Sequence, residues 1–255
     1  MNGLRNLALI VSILLFSSST YGEEILSGYH YLKPETRILQ DDDFENPGLF
    51  AAENGEFLFN ETQASTGKSC VDCHDASGEK LNTRAIARYP VVNPRTKDVI
   101  SLQTQISRCR TRINPEPLPV NHADLLALET FVRHLAKGEK VNVQTDGIVS
   151  PMLAKGEALY KQRYGLIDMS CYQCHGQYAG QMIRGQKISQ GQANGFPVYR
   201  LDIGEMTSLN QRVTQCLNLM RAEPFPDDST EMKLLELYLM SRSNGLPIET
   251  PAVRY

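Results

Sequence analysis

The chain has 255 residues, with 26 Lys and Arg against 29 Asp and Glu, giving a formal net charge of -3. That balance excludes a strongly basic nucleic-acid binder, and a hydrophobic content of 41% excludes wholesale disorder. Aromatic residues make up only 7% and there is no Trp, so the six Cys and five His are the informative residues.

Residues 1–22 run from Arg5 through an apolar stretch, Leu7 to Phe16, to the small residues Thr20 and Gly22, which reads as a cleaved secretory signal peptide. The apolar run is too short to span a bilayer and nothing later resembles a span, so the expected product is exported, periplasmic and free of the membrane. Residues 23–45 form an N-terminal extension. The rest of the chain is a duplication. At an offset of 101, Gly55-Glu56, Leu58-Phe59, Cys70, Cys73 and His74 match Gly156-Glu157, Leu159-Tyr160, Cys171, Cys174 and His175. At an offset of 107, Tyr89-Pro90, Ser101-Leu102, Cys109, Leu128-Glu129 and Gly138 match Phe196-Pro197, Ser208-Leu209, Cys216, Leu235-Glu236 and Gly245. The expected units are 46–140 and 151–255, joined by a polar linker over 141–150.

Each unit reads as three helices joined by long loops, so the fold class is mainly α, in two tandem domains related by the duplication. Asn46-Pro47 and Ser150-Pro151 set a capping residue before a Pro and predict the first helices. Leu102, Ile106, Cys109 and Ile113, like Leu209, Val213, Cys216 and Met220, recur at helical spacing and place both cysteines on an apolar helix face. The last helices carry Leu125, Leu128, Phe131 and Met232, Leu235, Leu239, with Gly138 and Gly245 predicted to stop them. Nothing reads as a strong sheet.

Cys70-Val-Asp-Cys73-His74 and Cys171-Tyr-Gln-Cys174-His175 are Cys-x-x-Cys-His motifs, the attachment signature of a c-type haem. Two cysteines three apart can form thioethers to one porphyrin while the adjacent His reaches the iron. Chance would supply about 0.003 such matches in this composition, so two imply two covalent haems c, with His74 and His175 as proximal ligands. The separation of 98 positions from Cys73 to Cys171 argues against a zinc ribbon. Cys109 and Cys216 are the cysteines left over, at matched positions where a distal ligand is needed. A small buried hydrophobe, a disulfide and thiolate ligation of both irons are all open, and the matched positions favour ligation. His30, His122 and His134 read as surface or capping residues.

Ser208-Leu-Asn-Gln-Arg212-Val-Thr-Gln-Cys216, Arg221-Ala-Glu-Pro-Phe-Pro226 and the run from Leu235 to Pro251 resemble the SoxA family, the dihaem cytochrome c subunits of thiosulfate-oxidising SoxAX complexes. The likeness covers essentially the whole chain after residue 22. It implies oxidative coupling of thiosulfate to a cysteine thiol of a SoxYZ-like carrier, an L-cysteine S-thiosulfotransferase activity, with electrons leaving through a SoxX-like monohaem cytochrome. It also implies a catalytic haem in the second half, bound by His175 and Cys216, with Cys216 often a persulfide, and a buried, non-catalytic haem held by His74 and Cys109. Arg212 lies one turn before Cys216 where the first half has Gln105, and is the expected cation for a sulfur oxyanion. A purely electron-transferring dihaem cytochrome and a thiosulfate dehydrogenase forming tetrathionate are the rival readings.

Overall fold

A computed structural model describes residues 24–255, so the signal expected over 1–22 lies outside the described residues. After a 3-10 turn at Gly28–Tyr31 the chain forms α1 (Pro34–Asp41), α2 (Leu49–Asn60), α3 (Val71–His74), α4 (Thr83–Ile86), β1 (Val91–Val92), β2 (Val99–Ile100), α5 (Leu102–Arg110) and α6 (Ala123–Leu135). The second half follows a similar order with α7 (Ser150–Lys161), a π-helical turn at Gln173–Gln177, β3 (Met182–Ile183) and β4 (Gln186–Lys187) where the first half has α4, β5 (Val198–Arg200), β6 (Glu205–Thr207), α8 (Leu209–Leu219) and α9 (Thr230–Ser241), then adds β7 (Ala252–Arg254). The three long helices expected in each half are therefore α2, α5, α6 and α7, α8, α9.

The first and last helix of each half cross at very close range. A Cβ on Gly55 would lie 2.1 Å from the Ala127 carbonyl oxygen of α6, and one on Gly156 would lie 2.4 Å from the Leu234 carbonyl oxygen of α9. Both glycines are obligatory for this approach, since no larger residue fits without moving backbone. Phe131 and Tyr238, at matched positions, fill the same crossing from the side.

The helix starts follow local chemistry. Ser101 and Ser208 accept hydrogen bonds from Thr104 N and Gln211 N at the head of α5 and α8, and Ser229 does the same for α9. Each such cap contributes about 1 kcal/mol. The helix expected at Pro47 begins instead at Leu49. Asn46 is committed elsewhere: its Oδ1 accepts from Gly48 N at 2.9 Å, and its Nδ2 donates to the carbonyls of Gln40 and Pro251. The side chain thus ties the N-terminal extension to the C-terminal tail. At the second expected start, Pro151 does sit in the first turn, with Ser150 already helical and Val149 in the capping place.

Short sheets supplement the helices. β1 pairs with β2 antiparallel, as β5 pairs with β6, and β7 adds to β5 in parallel. This third strand has no counterpart in the first half. α1 packs against it, and Gln40 accepts from Val253 N at 3.1 Å.

Residues 141–150, expected as a polar linker, bury Val141, Val143 and Val149. Val141 N donates to Leu246 O and Ile248 N to Glu139 O, both at 2.9 Å, while Gly245 N returns a bond to Val141 O. Gly138 and Gly245 therefore help strap the end of one half to the end of the other, a few residues beyond where α6 and α9 stop. One hydrophobic cluster runs through both halves, from Phe59 and Phe131 to Leu217, Leu235 and Met240.

At the contact of the halves lies a polar cavity lined by matched residues: Ser101 and Ser208, Gln103 and Asn210, Glu129 and Glu236. Glu129 is satisfied by Gln103 Nε2 at 2.8 Å and by the buried Arg133 Nε at 3.2 Å. Glu236 is different. Burial, then the nearby Glu129 charge, pushes its carboxyl up to about 8, against weaker opposing effects of Arg133 and Lys233. A folded-state carboxyl raised in this way binds a proton that the unfolded chain has released, so stability is full below the ordinary carboxyl range and declines as pH rises towards 8. Glu236→Gln is expected to match the native protein at pH 5 and to exceed its stability at pH 9 by on the order of 3–5 kcal/mol, read as thermal unfolding midpoints across that range.

Candidate active site

In each half the Cys-x-x-Cys-His segment is a single helical turn opened by a serine. Ser69 N donates to Asp72 Oδ2 at 2.7 Å, and the matched Ser170 N donates to Gln173 Oε1 at 2.9 Å. The turns place His74 against Phe59, with ring centroids 6.0 Å apart, while Tyr160, matched to Phe59, lies edge-on to Tyr172. All six cysteines are free thiols, so no disulfide joins Cys109 to Cys216. Burial pushes Cys70 up to about 11 and Cys171 up to about 12, keeping these attachment thiols protonated in the apoprotein.

The mid-helix cysteines face these turns. Cys109 on α5 is near enough to Cys70 for their charges to interact, and Cys216 on α8 is near both Cys171 and Cys174. The His175 ring is oriented from behind: its Nδ1 lies 2.8 Å from the Ser189 carbonyl oxygen, which assigns the proton to Nδ1 and turns Nε2 outward. Cys216 meets this imidazole. Burial raises the Cys216 thiol most, but the His175 hydrogen bond and the positive charges of Arg212, His175 and Arg200 outweigh it and hold the thiol below its usual range. Cys216 thus lies within hydrogen-bond reach of the His175 imidazole and is easier to ionise than an ordinary cysteine. Two neighbouring thiols, an oriented imidazole and a third cysteine sulfur facing it are a donor set that fits a haem c.

The two halves differ around the sulfur. Gln105 Nε2 donates to Cys109 Sγ at 3.2 Å. The matched Arg212 donates instead from Nη1 to Gln215 Oε1 at 3.2 Å. A second cation, the buried Arg200 on β5, reaches the same Gln215 oxygen at 3.3 Å. Arg200 is not legible from spacing along the chain because it lies outside the helical pattern, on a short strand that only tertiary folding brings to α8. Its one sequence signal is the repeat itself, which sets Asn93 in the matched place. The three remaining histidines do structural work: His122 caps α6 by accepting from Asp124 N, His134 Nδ1 lies 3.3 Å from the Thr250 carbonyl oxygen, and His30 is exposed.

Among the described residues no helix is long and apolar enough to cross a membrane. The family model for the SoxA/TsdA cytochrome c domain matches the chain twice, over residues 54–141 and 155–248. The L-cysteine S-thiosulfotransferase subunit SoxA of Pseudaminobacter salicylatoxidans is 38% identical over 91% of this chain and 82% of its own length. The corresponding subunit of Paracoccus pantotrophus is 35% identical over 94% of this chain and 82% of its own. The crystal structure of SoxXA from P. pantotrophus superposes with a TM-score of 0.83 at 35% identity, over 91% of this chain and 87% of that one.

Gly191 backs the His175 ring at positive φ, and a Cβ there would come 2.9 Å from the ring Cγ. Gly191→Ala is expected to displace the imidazole from Ser189, destabilising the second half by about 1–3 kcal/mol, visible in the thermal unfolding midpoint and in a changed absorption band of the haem-loaded protein.

Proposed function

The chain belongs to the SoxA/TsdA cytochrome c family, and from that premise we propose that it is an L-cysteine S-thiosulfotransferase subunit that joins thiosulfate to a cysteine thiol of a carrier protein. The reaction is carrier-SH + S2O3²⁻ → carrier-S-SSO3⁻ + H⁺ + 2e⁻. The observation that carries the reading is the Cys216 environment: a sulfur facing His175, flanked by Arg212, in one half of a duplicated protein whose other half offers Gln105 instead.

The chain is a cytochrome c, and its cofactor is haem c. Our finer assignment places two haems, one attached through Cys70 and Cys73 with His74 and Cys109 as axial ligands, the other through Cys171 and Cys174 with His175 and Cys216. Haem c, when bound, supplies one-electron oxidising capacity. The domain limits 46–140 and 151–255, with 141–150 between them, belong to the same assignment, as does export to the periplasm after loss of residues 1–22.

This chain's own residues supply the rest. The Ser189 carbonyl keeps the His175 proton on Nδ1, so that Nε2 is the nitrogen that would hold an iron. The positive charges of Arg212 and Arg200 draw the Cys216 thiol below its usual range, and a thiolate there would lower the potential of an iron that it held. In our reading Cys216 carries an additional sulfur as a persulfide, placed where thiosulfate and the carrier thiol meet. Arg212 orients the thiosulfate oxyanion through charge-assisted hydrogen bonds. The partners in this scheme are a SoxX-like monohaem cytochrome, supported by the likeness to the SoxXA structure, and a SoxYZ-like carrier.

Arg212→Ala is expected to retain both haems and to slow carrier-dependent thiosulfate oxidation tens- to hundreds-fold, a loss of about 2–4 kcal/mol of transition-state stabilisation. Gln105→Ala, its counterpart in the first half, should leave turnover near native. Equal and small effects of the two substitutions favour simple electron transfer, and full turnover with thiosulfate alone favours tetrathionate formation. Electron paramagnetic resonance of the oxidised protein should show low-spin, thiolate-ligated ferric haem in both halves, and its intact mass should report two haems and one extra sulfur. A purely His/Met spectrum would remove Cys109 and Cys216 as ligands.

A further inference from the structure

Beside Cys216 two guanidinium groups converge on one uncharged oxygen. Arg200 is 5% exposed, and its Nε and Nη2 donate to Asp202 Oδ1 and Oδ2 at 3.0 and 2.7 Å. Its Nη1 donates to Gln215 Oε1 at 3.3 Å, and Arg212 Nη1 donates to that same oxygen at 3.2 Å. Asp202 is the carboxylate that neutralises one of the two cations, and the other is left facing the sulfur.

Such a pair is costly in isolation. Burial, then the neighbouring Arg212 charge, pulls the Arg200 guanidinium below its ordinary range, against the opposing pull of Asp202. Like charges held together in a partly desolvated place are retained where an anion offsets them. The first half has none of this machinery: Asn93, Arg95, Gln105 and Arg108 stand at the positions matched to Arg200, Asp202, Arg212 and Gln215. All four members of the network are therefore peculiar to the Cys216 half.

The donors of Arg200 are spoken for, three of its nitrogens being bound to Asp202 and Gln215. Arg212 makes a single hydrogen bond among the described residues, leaving the rest of its fork for a ligand. The Gln215 carbonyl is the joint between them.

We propose that Arg200 is a positioning residue for the Cys216 site: anchored by Asp202, it fixes the Gln215 amide, which aims Arg212, the cation without a carboxylate partner, and so biases the site towards doubly charged sulfur oxyanions over monoanions. The proposal rests on the reading of Cys216 as the sulfur-handling site and deepens it by naming what selects the substrate's charge. Its chemistry is binding alone, with no bond made or broken at Arg200. Arg200→Lys keeps the charge and loses the planar fork that matches Asp202, so it separates field from geometry. Gln215→Glu keeps the shape of the joint and puts a carboxylate between the guanidiniums, and it serves if Arg200→Gln does not fold.

The test uses the haem-loaded protein with its partner cytochrome and a thiol-bearing carrier protein, measuring KM and kcat for thiosulfate, and calorimetric titration with sulfate and with nitrate. Arg200→Gln and Gln215→Glu are expected to raise KM at least tenfold with a smaller fall in kcat, to weaken sulfate binding in parallel, and to leave nitrate unchanged. Arg200→Lys should recover part of the loss. Native KM and native sulfate affinity in either folded, dihaem variant overturn the proposal. If the native protein does not couple thiosulfate to a carrier, the functional reading fails on its own, while the sulfate-against-nitrate comparison still decides the role of Arg200.

Discussion

The close helix crossing at Gly55 and Gly156 is the constraint on which the rest of each half depends. With a carbonyl oxygen 2.1 or 2.4 Å from where a Cβ would be, α2 can approach α6, and α7 can approach α9, only through a glycine. That approach sets where α2 and α7 end, and hence where the loops after them deliver the two Cys-x-x-Cys-His turns. Phe59 and Tyr160, near the ends of these helices, contact those turns directly, Phe59 against His74 and Tyr160 against Tyr172. The mid-helix cysteines then approach from the other side on helices α5 and α8, each started by a serine cap.

Duplication gave both halves this frame, and divergence put a cation one turn before the mid-helix cysteine in the second half alone. In the first half a neutral amide, Gln105, donates to the cysteine sulfur. In the second the corresponding residue is a cation that bonds to Gln215, joined there by another cation from β5. The frame tolerates the difference because the affected residues line the sulfur's surroundings and not the glycine crossing. Packing and chemistry are thus separable in this protein: the crossing, the caps and the Cys-x-x-Cys-His turns repeat, while the electrostatics beside the mid-helix cysteines do not.

The contact between halves shows the cost of such a duplication. Matched glutamates, Glu129 and Glu236, meet across one polar cavity, and the single buried arginine of that cavity, Arg133, forms its ion pair with Glu129. The second carboxyl is left to hold its proton. Two like charges in a dry site cannot both ionise cheaply, and breaking the symmetry with one arginine resolves half of the conflict.

The amino-acid pattern by itself determined the duplication, the two Cys-x-x-Cys-His motifs, the three long helices of each half and the matched places of Cys109 and Cys216, because these depend on spacing along the chain. Motif and helix periodicity are local, and a repeat doubles their signal. Tertiary structure alone decided what depends on distant segments meeting. Asn46 reads as a cap before Pro47, yet it spends its amide on Gln40 and Pro251. The valines of 141–150 look like linker residues until the chain beyond α9 pairs with them and removes them from water. Arg200 and Asp202 carry no helical or motif signal at all, and they enter the site only because the end of β5 comes against α8, where the buried Arg200 reaches Gln215 while Asp202, two residues on, holds its other nitrogens.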